Sequence, residues 1–102
     1  MEKLKERIRA LLEPYAKNDK YNTQDMVQIG SYLLKNEGIE HQTYINEGVP
    51  YYWIMIEEVG LHVSFKPGLL ILENDRDTSL NGKPIKMLAN SITFEAITGE
   101  QP

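Results

Sequence analysis

The apolar side chains near the start of the chain recur every three or four residues, which is the spacing of an amphipathic helix. This pattern predicts a first helix over residues 2–13, with Leu4, Ile8 and Leu12 on its inward face. Pro14 lacks a backbone N–H and disfavours helical geometry in the residue before it. We therefore expect the first helix to end or kink at Pro14.

A second helix is predicted over residues 24–37, again from apolar positions at helical spacing. Either Asn22 or Thr23 can cap its N-terminus, because a short oxygen-bearing side chain can accept an otherwise unused backbone N–H. Gly38 is suited to a left-handed conformation at the C-terminal end. The second helix is therefore delimited at both ends.

From Ile39 onward the period of apolar positions changes to two, which is typical of strands with one buried face. The predicted strands cover residues 39–46, 51–58, 61–66 and 69–73. Their predicted connections are residues 46–49, 59–60 and 67–68, each rich in turn formers. These three connections are short enough for antiparallel neighbours.

The last third of the chain is more ambiguous. Residues 74–82 are polar and rich in turn formers, which predicts a loop or a hairpin tip. Beyond Pro84, helical spacing of apolar residues predicts a short helix over 85–92, followed by a closing strand over 93–98. Together the elements predict a single α+β domain over residues 1–102, with two N-terminal helices packed on one face of a four- to five-stranded, mainly antiparallel sheet.

Loop lengths predict which side chains share a face of the sheet. A four-residue first loop would pair Ile45 with Pro50 and Tyr44 with Tyr51; a two-residue second turn would pair Ile56 with Val63. Both hairpins then give the same two faces. The face suited to the helices collects Ile39, Ile45, Tyr52, Ile54, Ile56, Leu61, Val63 and Phe65. The opposite face collects Gln42, Tyr44, Tyr51, Trp53, Met55, Glu57, His62, Ser64 and Lys66.

The opposite face is unusual because a surface left to water should be mostly polar. Aromatic residues and methionine are favoured in protein interfaces, whereas lysine and glutamate are depleted there. The face is therefore predicted to bind a protein partner. The predicted contact residues are Tyr44, Tyr51, Trp53, Met55, His62 and Lys66. Two alternatives stay open: the C-terminal segment could cover the face, or the face could form the seam of a homodimer.

Composition excludes several classes of function. The chain has no cysteine, which rules out disulfides, cysteine-based zinc sites and a thiol nucleophile. Its net charge is −4, and its only basic cluster, near the N-terminus, is interleaved with glutamates, which argues against nucleic acid. No apolar leader and no membrane-length apolar stretch occurs, so we expect a cytoplasmic chain without membrane contact. No motif indicates a cofactor.

Candidate catalytic and metal-binding groups are few. Glu57, His62 and Ser64 share a face in the predicted register, but residues two apart on a strand lie about 6–7 Å from each other, too far for a triad. The loop from Asp75 to Gly82 alternates oxygen donors like the start of a calcium loop, yet position twelve would be Lys86 where glutamate is required. We therefore predict neither a catalytic site nor a metal site.

A helix that opens at Asn22 and Thr23, ends at Gly38 and is followed by a strand containing Tyr51 and Trp53 resembles the core of transglutaminase-like and papain-like domains. In those families the helix begins at the catalytic cysteine and a later strand carries a histidine motif. Thr23 and Tyr51 stand at those two positions here. The resemblance implies a scaffold that has lost this chemistry.

Two hypotheses about function follow. The first is a non-enzymatic binding protein, such as an inhibitor, an immunity-type protein or a phage counter-defence factor, that covers a partner through the aromatic face. The second is a small-ligand-binding or enzymatic α+β domain whose pocket lies between sheet and helices. That pocket would use His41, His62, Glu57 or the acidic loop.

Overall fold

The computed structural model describes residues 1–49, 51–74 and 81–101, and these form an α+β fold. The helices are α1 (Glu2–Ala16), α2 (Thr23–Asn36) and α3 (Ser91–Thr98). The strands are β1 (Gln42–Asn46), β2 (Tyr51–Ile56), β3 (Leu61–Lys66), β4 (Leu69–Asn74) and β5 (Lys83–Ile85). All strand pairs are antiparallel, and the strand order in the sheet is β4-β3-β2-β1-β5. The predicted fold class is confirmed.

The first helix is longer than predicted. It does not stop at Pro14 but continues to Ala16, which is buried in the core. A proline inside a helix removes one backbone hydrogen bond, and in the last turn that loss affects little of the helix. The N–H of Lys17 still bonds to the carbonyl oxygen of Glu13. Burial of the residues after Pro14 therefore outweighs the local effect of the proline.

The second helix agrees with the sequence at both ends. The side chain of Asn22 accepts the backbone N–H of Asp25 at 2.8 Å, as an N-cap does. Gly38, two residues after the helix, has a φ of 70°, a conformation that favours glycine. Within α2, a Cβ on Gly30 would lie 3.1 Å from Cδ1 of Ile54, so this glycine allows close approach of helix and sheet.

The strand registers differ from the predicted ones by two residues in each hairpin. Tyr44 pairs with Trp53 instead of Tyr51, and Ile54 rather than Ile56 pairs with Val63. Pro50, the predicted partner of Ile45, lies outside the described residues. Because side chains alternate with a period of two, a shift of two residues leaves every side chain on its predicted face. The strands are also shorter than predicted: β1 begins at Gln42, and β2 ends at Ile56 because residues 57–60 form the turn.

The prediction for the C-terminal region was wrong. A short strand, Lys83–Ile85, stands at the start of the predicted helix, and a helix, Ser91–Thr98, stands where the closing strand was predicted. The side chain of Asn90 accepts the N–H of Thr93 at 2.9 Å and so caps α3. The predicted loop over 74–82 lies mostly outside the described residues, which lack 75–80.

The main core lies between the sheet and the two N-terminal helices. Its buried side chains are Ile8, Leu12, Ala16, Met26, Val27, Ile29, Leu34, Ile54, Ile56, Leu61, Val63, Phe65 and Phe94. Truncating one of the fully buried members to alanine typically costs about 2–5 kcal/mol, since a cavity is left behind. This core fixes α1 and α2 on one face of the sheet, and no helix of the described residues belongs to the buried cluster on the other face.

Candidate functional site

Three aromatic residues of the sheet, Tyr44, Tyr51 and Trp53, lie on the face away from the main core, as the alternation predicted. Tyr44, Trp53 and Met55 form a second buried cluster, against which Tyr51 packs. We call these four residues the aromatic cluster. The rings of Tyr44 and Trp53 stack with centroids 5.9 Å apart. Tyr51, two residues before Trp53 on β2, also stacks on the indole, at 6.1 Å.

Three of the four residues of the aromatic cluster are buried, and so is His62 beside them. Trp53 is 3% exposed, Met55 2% and Tyr44 7%, and His62 is buried as well. Part of the cover is Gly82, where an added Cβ would lie 2.4 Å from two carbon atoms of the indole ring. The backbone at residue 82 therefore lies directly on Trp53. Four of the six predicted contact residues are therefore buried, which fits the alternative that a later part of the chain covers this face.

The two other predicted contact residues remain accessible. Lys66 is exposed and Tyr51 is half-buried, with its hydroxyl donating to the carbonyl oxygen of Phe65 at 3.1 Å. That bond brings the Tyr51 ring next to the end of β3. Whether any of the six residues contacts a partner stays a prediction.

The accessible part of this face continues across β4. Lys66 pairs with Leu69 and Ser64 pairs with Ile71, so the side chains of Leu69 and Ile71 share the face of the aromatic cluster. Leu69 is 52% exposed and Ile71 is half-buried. Exposed apolar side chains therefore border the outer edge of the sheet beside Lys66.

The two edges of the sheet differ in a way that matters for binding. Strand β5 has only three residues, two of which are Lys83 and Pro84, and the Lys83 ammonium pairs with Glu47 at 3.2 Å. Short length, lysine and proline are the devices by which proteins blunt an edge. Strand β4 has six residues and opens with the apolar run from Leu69 to Leu72. Within the described part of the chain, no strand pairs with its outer side.

A second candidate site joins α2 to the segment before β1, and it contains His41, which the second hypothesis named, together with Ser31, which it did not. The side chains of Ser31 and His41 lie within hydrogen-bond distance, with 2.6 Å between Oγ and Nε2. Nδ1 of His41 lies 2.9 Å from the carbonyl oxygen of Ile39, which can only accept. In the neutral imidazole, Nδ1 therefore donates to Ile39 and the Ser31 hydroxyl donates to Nε2. Both ring nitrogens are then satisfied.

Ser31 and His41 line a cavity of about 600 Å³ between α2, residues 38–43 and residues 85–87. Lys35 and Lys86 also line this cavity. Its size falls within the range of pockets that bind small molecules. Besides His41, the sequence offered a signal that was not used: Ser31 stands among the inward-facing apolar positions of α2, where a polar side chain needs a partner. Nothing in the sequence indicated that Lys86 would join it.

The catalytic and metal-binding groups considered from the sequence are not brought together. His62 pairs with Met55 rather than Glu57, and the Glu57 carboxylate instead accepts the hydroxyl of Tyr44. Asp75 and most of its calcium-like loop lie outside the described residues. Over the described ranges, no group of three or more histidine, cysteine or acidic side chains is placed to hold a metal ion.

Comparison of the chain with protein-family models, with curated proteins and with solved structures gave no match. The resemblance to transglutaminase-like and papain-like domains gains no support from these comparisons. None of the helices in the described ranges has the length and apolar composition needed to cross a bilayer. The function must therefore be argued from the geometry alone.

Proposed function

We propose that this chain is a non-enzymatic protein-binding domain that adds an extended segment of a partner protein to the outer edge of β4. The observation that carries the proposal is the contrast between the two edges: β5 is short and carries lysine and proline, whereas β4 is long and apolar. In strand addition, the free backbone groups of an edge give affinity and the alternating side chains give specificity.

The side chains around the edge indicate what kind of segment would fit. On the face of the aromatic cluster, alternate residues of an added strand would meet Leu69 and Ile71, with Tyr51 and Lys66 behind them. Glu73 follows at the same spacing and is exposed. An extended segment with apolar residues at alternate positions and a basic residue opposite Glu73 would match this edge.

In this proposal the predicted contact residues divide into two groups. Lys66 and Tyr51 keep a direct role, because both are accessible: Lys66 lies on β3 beside β4, and Tyr51 lies one strand further from the edge, with its hydroxyl bonded to Phe65 of β3. The buried members, Tyr44, Trp53, Met55 and His62, would act by holding the sheet rather than by touching the partner. An inhibitor, an immunity-type protein or a phage counter-defence factor would act in this way, by covering a surface of its target.

The proposal is tested with Leu69→Lys, which puts a charge on the edge, and with Leu88→Lys as the matched control. Leu88 is also an exposed leucine, at 69%, and lies outside the sheet. Partners captured from an extract of the native cells by the unmodified chain should be retained by Leu88→Lys. The same partners should bind Leu69→Lys at least about tenfold more weakly, a loss of about 1.4 kcal/mol.

Backbone hydrogen exchange then locates the contact. A captured partner that adds a strand should slow exchange in residues 69–74, since edge N–H groups become hydrogen-bonded. Equal capture by both variants, or protection confined to other segments, would refute strand addition at β4. Solution mass over a dilution series distinguishes a second copy of the chain from another protein as the occupant.

A further inference from the structure

Two cations border the cavity beside the Ser31–His41 pair. Lys35 lies in the last turn of α2, where the helix dipole favours a positive charge. Lys86 follows β5 and does not lie at the end of a helix. Neither ammonium group forms an ion pair with a described residue. A chain with a net charge of −4 thus places around one cavity two lysines that form no ion pair within the described part of the chain.

Most other polar donors in the wall of the cavity are already used. The hydroxyl of Thr43 donates to the carbonyl oxygen of Ile85 at 2.5 Å, and the side-chain amide of Gln42 donates to the same oxygen at 3.3 Å. The hydroxyl of Ser31 is engaged with His41. The ammonium groups are therefore the donors best able to recognise a ligand.

The remaining lining sets the charge and the character of such a ligand. Glu40 lines the same cavity, so its lysine and glutamate side chains together leave a local charge of about +1. This balance suits a monoanion better than a dianion. Ile39, Ile85 and Met87 supply an apolar wall.

We infer that this cavity is a binding site for a small organic monoanion, a carboxylate with a short apolar tail. Lys35 and Lys86 would hold the carboxylate, while Ile39, Ile85 and Met87 would contact the tail. The Ser31–His41 hydrogen bond fixes α2 against residues 38–43 and so keeps the wall in place. The site is independent of the β4 edge.

The inference is tested by NMR titration of the full-length, ¹⁵N-labelled chain with sodium hexanoate at constant pH and ionic strength. We expect saturable shifts centred on residues 38–43 and 85–87. Sodium acetate, which lacks most of the tail, should bind at least about tenfold more weakly, because each buried methylene contributes to affinity. Inorganic phosphate should also bind more weakly than hexanoate.

The double variant Lys35→Gln and Lys86→Gln keeps the aliphatic stems and removes both charges. Hexanoate affinity should fall at least about tenfold in this variant. The matched control is Lys3→Gln with Lys20→Gln, which removes two exposed charges outside the cavity. It should leave the affinity within about twofold. Unchanged amide spectra outside the cavity show that either variant is folded.

Several outcomes would overturn the inference. One is the absence of saturable shifts up to about 50 mM hexanoate, well above the millimolar range of weak specific sites. Another is an equal loss of affinity in the control variant, which would indicate nonspecific charge attraction. Phosphate binding as tightly as hexanoate would refute the role of the apolar wall.

Discussion

Replacing Trp53 by alanine removes the central ring of the aromatic cluster, and the structure predicts a large loss of stability. The indole is 3% exposed and stacks with the rings of both Tyr44 and Tyr51. Truncation of a buried tryptophan to alanine typically costs about 3–5 kcal/mol. A small domain has about 5–15 kcal/mol of total stability, so the variant should unfold roughly 12 °C or more below the unmodified chain.

The assay is urea unfolding followed by far-ultraviolet circular dichroism. Trp53 is the only tryptophan of the chain, so its fluorescence cannot report on this variant. Leu88→Ala serves as the control, because Leu88 is 69% exposed and its truncation should change the free energy of unfolding by no more than about 0.5 kcal/mol.

The result that would refute the reasoning is a loss below about 1 kcal/mol for Trp53→Ala, the range of ordinary surface changes. The indole would then be uncovered in solution. In that case the aromatic face would again be available as a contact surface, and Trp53 itself would regain the partner-binding role that the sequence predicted.

Three further predictions concern Gly82 above Trp53, the Asn22 cap of α2 and the titration of Tyr15. Gly82→Ala should destabilise the chain by about 1–3 kcal/mol in urea unfolding, since the new methyl group overlaps the Trp53 ring. An unchanged free energy of unfolding would show that residue 82 does not lie against Trp53. Asn22→Ala should cost about 1 kcal/mol in the same assay, and an unchanged midpoint would contradict its capping role. Burial, together with the carboxylate of Glu100, raises the pKa of Tyr15 from 10.0 to about 12. The contribution of Tyr15 to the free energy of unfolding is therefore complete below pH 10 and is lost as the pH rises through 12. Tyr15→Phe should therefore lose less stability across that interval; an identical pH profile for both chains would contradict the shift.

The faces of the sheet could be predicted from the sequence even though the strand pairing could not. The second turn has four residues, 57–60, where two were assumed, and this moved Val63 from Ile56 to Ile54. Such an error changes partners by two positions and keeps each side chain on its face. Alternation therefore predicted the core correctly without the correct register.

Accessibility of the aromatic cluster could not be predicted in the same way. Its cover depends on Gly82, which lies almost thirty residues after Trp53 and has no side chain to signal a contact. An apolar sheet face indicates that something covers it, and the covering group can belong to the chain itself or to a partner. Local spacing does not distinguish these two cases.

The C-terminal segment shows the same limit at the level of secondary structure. Thr93 to Thr98 contains β-branched residues that favour a strand, yet the cap at Asn90 and the burial of Phe94 select a helix. Phe94 packs on Tyr15 and Tyr32, both from the N-terminal helices. Contacts between distant parts of the chain thus decided the conformation of this short segment.

The β4 edge and the lysine-lined cavity occupy opposite sides of the sheet order, since β4 is the first strand and β5 the last. With neighbouring strands about 4.8 Å apart, roughly 19 Å of sheet separates the two edge strands. Charges at that distance are largely screened at physiological ionic strength. Under the two proposals, a partner at β4 and an anion beside Lys35 would be able to bind at the same time. A substitution that weakens binding at one site would then leave binding at the other unchanged. Loss of capture in Leu69→Lys with intact hexanoate binding would locate the protein interface at the edge rather than report general unfolding.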